Sequence, residues 1–282
     1  MLKLPVVIFV NSPDAVSLLS SGPLKFNMNA PPTIVIVPGA FHVASSMDLF
    51  SSQLEEAGYD TQTFELVTVN QPMLKVQDDV TALAVEMLVP LIEKHGKDVV
   101  LYLHSYAGFP GSAAIKGLSK TERLAAGKRG GILGLIYQSA FVPKPGDTLL
   151  QMVGGTYAPW QDPNTQTGLI GVVDPRATFY ADVMEPLVTK AADRILPHSL
   201  LSFNTALSQT CYGIPAYNGR RTYLHTNHDQ ALPPFAQDAF VAASGVEWDV
   251  QKLETSHSPF LSEPKQLAAV VVAKVQAFVT TY

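Results

Sequence analysis

The stretch that most constrains this chain is Val99-Val100-Leu101-Tyr102-Leu103-His104-Ser105-Tyr106-Ala107-Gly108. A run of β-branched and bulky residues with no polar alternation suits a parallel strand covered on both faces. The run stops abruptly at His104-Ser105 and continues through small residues into a segment of helical character. Ala107 and Gly108 let the strand and helix backbones approach closely, and a serine on such a turn presents its hydroxyl at the end of the sheet. Two readings are open at this point, a nucleophile or a plain helix N-cap. Only a base and an acid elsewhere in the chain separate them.

The rest of the chain is organised to match. Thr33-Ile34-Val35-Ile36-Val37 is a second buried strand, and Pro38-Gly39-Ala40-Phe41-His42 after it reads either as a loop whose free backbone amide faces a ligand or as an ordinary β-to-α turn. Helical spacing follows over 45–58, a strand over 60–66, and a long helix over 76–95 interrupted at Pro90. After the strand at 98–104 comes a small-residue helix over 106–118. Lys120-Thr121-Glu122-Arg123 and Lys128-Arg129 then form a solvated basic loop, and 132–137 is the next strand. The β-α-β-α-β-α-β alternation predicts an α/β fold, a doubly wound, mostly parallel sheet with ligands at the carboxyl ends of its strands. From 143 to 220 the periodicity weakens and Pro, Gly and aromatic residues accumulate, which reads as an inserted cap between the sixth and seventh strands, with helices over 174–190 and 199–209. Alternation resumes with a strand at 221–227, a helix at 235–243, a strand at 246–253 and a closing helix at 263–278. The expected division is therefore an extension at 1–31, a core at 32–142 and 221–282, and a cap at 143–220.

Bulk properties narrow the function. A net charge of −5 with no basic block excludes a nucleic-acid partner, and 15% charged against 47% hydrophobic residues points to extensive burial around an apolar pocket for a small-molecule substrate. No stretch has the length of a membrane span, and the oligomeric state is open. One cysteine, Cys211, cannot pair within the chain, which favours a reducing, cytoplasmic location. Leu4-Pro5-Val6-Val7-Ile8-Phe9-Val10 resembles a short secretory core but lacks a small-x-small cleavage site after it, so an extra edge strand or hairpin is the expectation there.

Base and acid both fall just past predicted strands. Ser105, Asp229 and His257 occur in the order Ser…Asp…His, each in a loop at a carboxyl end. With these landmarks the chain from about Pro32 onward resembles the α/β-hydrolase superfamily, in particular the branch of small esterases and lactonases that includes plant methylesterases and hydroxynitrile lyases. The shared motifs are Pro38-Gly39-Ala40-Phe41-His42 for His-Gly-x-x-His, Leu103-His104-Ser105-Tyr106-Ala107-Gly108 for Gly-His-Ser-x-Gly-Gly, Asp229-x-x-Leu-Pro for Asp-x-x-Ile-Pro, and His257-Ser-Pro-Phe for His-x-Pro-x. The resemblance implies Ser105 as nucleophile, His257 as base, Asp229 as acid, and the amides of Ala40 and Tyr106 as an oxyanion hole. Three positions depart from it: Pro38 stands at the usual histidine, and Leu103 and Ala107 stand at the two elbow glycines. The threonine, glutamate and lysine typical of the hydroxynitrile lyases are replaced by Gly39, His104 and Ser258, which disfavours cyanohydrin cleavage. An aspartate in place of Ser105 would be needed for epoxide hydrolysis.

Phe41, His42, Phe141 and Trp160 are the candidate substrate contacts, each with an alternative role in the core. His225-x-x-His228-Asp229 has the residue types of a metal site, but residues three apart on a strand point to opposite faces and no further ligand completes a set. No nucleotide or zinc motif occurs, so no cofactor is expected. The expected activity is a serine hydrolase acting on an ester or lactone. The alternatives are a lyase, cyclase or C–C bond-cleaving enzyme on the same residues, and a non-catalytic small-molecule receptor.

Overall fold

The computed structural model of the chain describes residues 31–282. The expected strand or hairpin within the first thirty residues lies outside them. In chain order the strands are β1 (Thr33–Val37), β2 (Thr61–Thr63), β3 (Asp98–His104), β4 (Gly131–Gln138), β5 (Gln161–Asn164), β6 (Leu169–Val172), β7 (His198–Ser199), β8 (Arg221–Thr226) and β9 (Asp249–Leu253). Six of them make one sheet in the order β2-β1-β3-β4-β8-β9, every neighbouring pair parallel. The chain winds outward from β1 to β2 and then crosses to β3 on the other side of β1. The strand order thus reverses between β1 and β3, where an open α/β sheet leaves a crevice at its carboxyl edge.

β1 and β4 are buried along their whole length, and β3 is buried from Val99 onward, as their unbroken apolar runs require. The closing helix, Pro264–Thr280, lies close enough for the Phe278 ring to occupy the space in front of Gly134 on β4, leaving no room there for a Cβ. β2 is shorter than the expected 60–66, because Thr61-Gln62-Thr63 is a polar edge strand paired only with β1. The helix expected at 76–95 is α-helical over Val76–Ala82 and then widens into π turns at Leu83–Leu88 and Pro90–Lys94. Pro90 has no N–H and its ring crowds the preceding turn, which displaces the regular bonding pattern.

Two expectations are corrected. Lys120-Thr121-Glu122-Arg123 is a helix (Lys120–Ala125) capped by the Ser119 hydroxyl, not a solvated loop. Arg123 is buried and donates to the carbonyls of Gly130 and Arg129 and to Glu93. In 143–220 an antiparallel sheet, β5-β6-β7, accompanies short helices. The helix expected at 174–190 is two pieces, Pro175–Phe179 and Leu187–Ala192, and that at 199–209 is confined to Leu200–Asn204. Among the described residues the 143–220 segment runs between β4 and β8, the fourth and fifth strands of the central sheet in chain order. No helix among the described residues is long and apolar enough to cross a membrane.

Candidate active site

Ser105 follows the last residue of β3, and its backbone is left-handed, with φ of 54°. A residue with a Cβ pays for that conformation, and the neighbouring packing holds it there. Phe141, in the segment leaving β4, donates its amide to the Ser105 carbonyl at 3.1 Å. Gly108, at the start of the helix Gly108–Ala114, lies so close to the Phe141 carbonyl that a Cβ would overlap it. Gly39 faces the same turn, where a Cβ would sit 2.8 Å from the Ser105 Cβ and 3.1 Å from His104 Nδ1. The glycines at 39 and 108 therefore keep the β1 and β4 loops packed onto the turn.

The residues that follow Gly39 and Ser105 in the chain carry the two amides expected to hold an oxyanion. The Ala40 amide, in the loop after β1, donates to no group among the described residues. The Tyr106 amide lies in the first turn of a helical segment, where N–H groups have no partner within the helix. Ala40, Ser105 and Tyr106 line the same cavity.

His257 and Asp229 are both buried, and His257 Nδ1 is 2.7 Å from Asp229 Oδ2. An imidazole nitrogen facing a carboxylate carries the proton, so the opposite nitrogen, Nε2, keeps its lone pair. The carboxylate is fixed in turn: Oδ1 accepts the amides of Ala231 and Leu232, each at 2.8 Å, and Oδ2 accepts the Thr226 hydroxyl at 2.8 Å. Asp229 thus sits in a tight turn just past β8 that satisfies both of its oxygens.

His104 connects the pieces. Its Nδ1 accepts the Gly39 amide at 3.1 Å, which places the proton on Nε2, and Nε2–H donates to the His257 carbonyl at 3.3 Å. Its ring centroid is 4.6 Å from that of His257, and burial holds its pKa well below the usual imidazole range, so it stays neutral. One neutral ring therefore joins the loop after β1 to the loop that carries His257.

The cavity encloses about 500 Å³ when the solvent-open space at its mouth is counted. Its wall carries aromatic and aliphatic side chains, with Ser105, Tyr106 and Gln161 as the polar ones and no charged side chain. Of the expected substrate contacts, Phe41, Phe141 and Trp160 line it. His42 does not. Its Nδ1 is 2.8 Å from the Ala40 carbonyl and its Nε2 3.0 Å from the Tyr180 hydroxyl, and burial lowers its pKa to about 4, so it braces the loop from behind. Phe179, which reading the sequence did not single out for the site, lines the cavity and packs on His257 at 5.6 Å between centroids. Phe203 and Gln161 also come from the insertion. The two rings of the metal-like motif make separate contacts: His225 Nε2 faces the Pro234 carbonyl, and His228, exposed, faces Glu254.

Leu103 and Ala107 occupy the two elbow-glycine positions without disturbing this arrangement. Leu103 is buried and its branched end fills the space in front of Gly111 on the following helix, while Ala107 is buried within the turn.

Comparison with known proteins agrees with the fold. The profile of the alpha/beta hydrolase family matches residues 34–270. The alpha/beta hydrolase nvfD of Aspergillus novofumigatus is 27% identical over 248 residues, covering 85% of this chain and 95% of that one. Among solved structures, a pyrethroid hydrolase from Sphingobium faniae JZ-2 superposes with a TM-score of 0.65 at 21% identity, over 87% of this chain and 98% of that one. A methylesterase from Arabidopsis does so with a TM-score of 0.64 at 21% identity, over 87% and 99%. The latter falls in the small-esterase branch that the motifs resemble.

Proposed function

Because the chain belongs to the alpha/beta hydrolase family, we propose that it is a serine hydrolase cleaving an ester or lactone of a small, apolar, uncharged molecule through an acyl-enzyme. In this reading Ser105 Oγ attacks the carbonyl carbon and its proton passes to His257 Nε2, while Asp229 stabilises the resulting imidazolium. The amides of Ala40 and Tyr106 hold the oxyanion. The proton then goes to the departing alkoxide. Water, deprotonated by the same nitrogen, attacks the acyl-enzyme, releases the acid and returns the proton to Ser105.

The observation that carries this reading is the buried His257–Asp229 pair at 2.7 Å, with His104 tying the loop of His257 to the turn that presents Ser105 to the cavity. The uncharged wall supports an apolar substrate, since a charged one would have to shed its hydration without a partner. Turnover of p-nitrophenyl acetate by the wild type and by Ser105→Ala tests it: the variant should lose turnover, and unchanged turnover would sink the assignment. Hydrolysis in oxygen-labelled water should place the label in the acid product. An unlabelled product would favour a lyase or cyclase instead.

A further inference from the structure

Behind the cavity wall lies a second polar cluster that the proposed chemistry does not use. Asp79, on the helix Val76–Ala82, is completely buried. Its Oδ1 accepts the Thr68 amide at 3.1 Å, and its Oδ2 accepts the Thr68 hydroxyl at 2.7 Å and the Tyr106 hydroxyl at 3.0 Å. Thr68 Oγ1 is also 2.9 Å from His198 Nε2, on β7 of the insertion. No cationic side chain among the described residues pairs with the carboxyl group, and burial pushes its pKa up to about 6, against the pull of the hydroxyl and amide donors.

The directions of these bonds are fixed by counting protons. A hydroxyl has one proton, and Thr68 gives its own to Asp79, so His198 Nε2 must donate to Thr68 Oγ1. His198 is therefore the Nε2–H tautomer, and its buried Nδ1 lone pair has no partner among the described residues. A buried acceptor left unpaired is a cost that packing alone does not require. At the other end of the chain the donor to Asp79 is Tyr106, which lines the cavity next to Ser105 and whose ring packs against His198 at 4.9 Å and Phe203 at 5.6 Å.

We propose that Asp79 is a positioning residue that, with Thr68 and His198, locks Tyr106 and its oxyanion amide to the insertion strand β7. The kinetic part of this inference rests on the hydrolase reading above; the hydrogen-bond order does not. Ordering one aromatic ring from both its hydroxyl and its face fixes the backbone that carries the amide, and preorganisation of such donors is worth most in the transition state.

The test compares wild type, Asp79→Asn, Tyr106→Phe and the double variant. Asp79→Asn should lower kcat for p-nitrophenyl acetate by about tenfold or more while KM stays within about twofold, because the lost interaction is made in the transition state. Its Tm at pH 8 should not fall, since the change removes an uncompensated buried charge, whereas a merely structural acid would lower it. Tyr106→Phe should lower kcat similarly, and the double variant should be no worse than either single one, as expected for two ends of one bond. Nitrogen NMR of histidine, with His198 assigned by its loss in His198→Gln, should show the Nε2–H tautomer in wild type and a switch to Nδ1–H in Asp79→Asn, where the amide now donates toward Thr68. A kcat within about twofold of wild type, additive losses, or an unchanged tautomer would each overturn the proposal. If Asp79→Asn does not fold, Tyr106→Phe decides the kinetic arm and the wild-type tautomer decides the bond order. A wild type without esterase turnover fails the hydrolase reading alone, and the tautomer measurement, which uses no substrate, still decides the relay.

Discussion

The end of the Leu103 side chain occupies the space that Gly111 leaves open one helix away. An elbow that carries a large residue two positions before its serine thus finds room by removing a Cβ from the helix that follows it. Gly111→Ala puts a methyl group inside contact distance of both Leu103 methyls, in a site with no exposed surface to yield into. Overpacking should outweigh the gain in helix propensity, giving a net loss of about 1–2 kcal/mol by chemical denaturation. The pair Gly111→Ala, Leu103→Ala should be less unstable than the sum of the two single changes, and simple additivity would show that the two sites do not share this space.

Gly39→Ala tests the other side of the turn. Its Cβ would stand 2.8 Å from Ser105 Cβ and 3.2 Å from the His104 carbonyl, which pushes the loop bearing the Ala40 amide outward. Expected is a fall in kcat of about 10²-fold, the scale of one lost oxyanion donor, with a cooperative unfolding transition retained. A variant with wild-type kcat would show that the loop yields without moving the amide.

Asp182 reaches from the insertion to the residue before His257. Its Oδ2 accepts the Ser256 amide at 2.8 Å and its Oδ1 faces the Ser256 hydroxyl. Because Asp182 is exposed, Asp182→Ala should cost less than about 1 kcal/mol of stability. Freeing the His257 loop should nonetheless reduce kcat by about threefold to tenfold, since small misplacements of a catalytic group are amplified. Steady-state kinetics alongside a melting curve separates the two effects.

Stability should fall on acidification, and the sign follows from which state binds more protons. His42 has its pKa lowered to about 4 and His198 to about 3 by burial, and burial lowers that of His104 as well. Each is neutral in the folded state at a pH where the unfolded chain takes up a proton, so each contributes stability above pH 6.5 that is lost as pH drops toward the folded value. For His42 alone the full loss is about 3 kcal/mol. Asp79 opposes this: its pKa, raised to about 6, means the folded state binds the extra proton, so stability rises as pH falls from 6 toward 4. Three histidines outweigh one carboxyl group, and denaturation midpoints should decline from pH 6.5 to 4. His42→Gln should flatten the decline; an unchanged slope would show that His42 is not the neutral buried ring described.

The central sheet and the Ser105, Asp229 and His257 loops were legible because each rests on a local signal: unbroken apolar runs, small residues at a turn, and a chain order shared by a family. The β5 strand was not, since Gln161-Asp162-Pro163-Asn164 is a polar, largely exposed strand containing a proline and shows neither alternation nor apolar content. The helix at Lys120–Ala125 was hidden because its cap, Ser119, lies just outside the charged run. Asp79 could have been found. It lies three residues after Val76 and four before Leu83, on the stripe that both of those apolar residues bury, and an acid on the inward face of a helix needs a partner. Its pairing with Thr68 and His198 spans up to 130 residues and no local pattern announces it.

The 143–220 segment is bound to the loops after β1 and β2 through main-chain contacts as well as side chains. The Leu196 amide donates to the Phe41 carbonyl at 3.0 Å and the Ser199 amide to the Thr68 carbonyl at 3.1 Å. Anyone exchanging this segment for that of a relative, to alter what the cavity accepts, inherits those two carbonyls as fixed sockets. A graft whose backbone does not return to them strands two buried acceptors at about 1–3 kcal/mol each, before any question of specificity arises. Interchangeable parts in this chain would therefore begin after the 41 and 68 attachments have been reproduced, with the stretch that carries Trp160 and Gln161 as the piece free to vary.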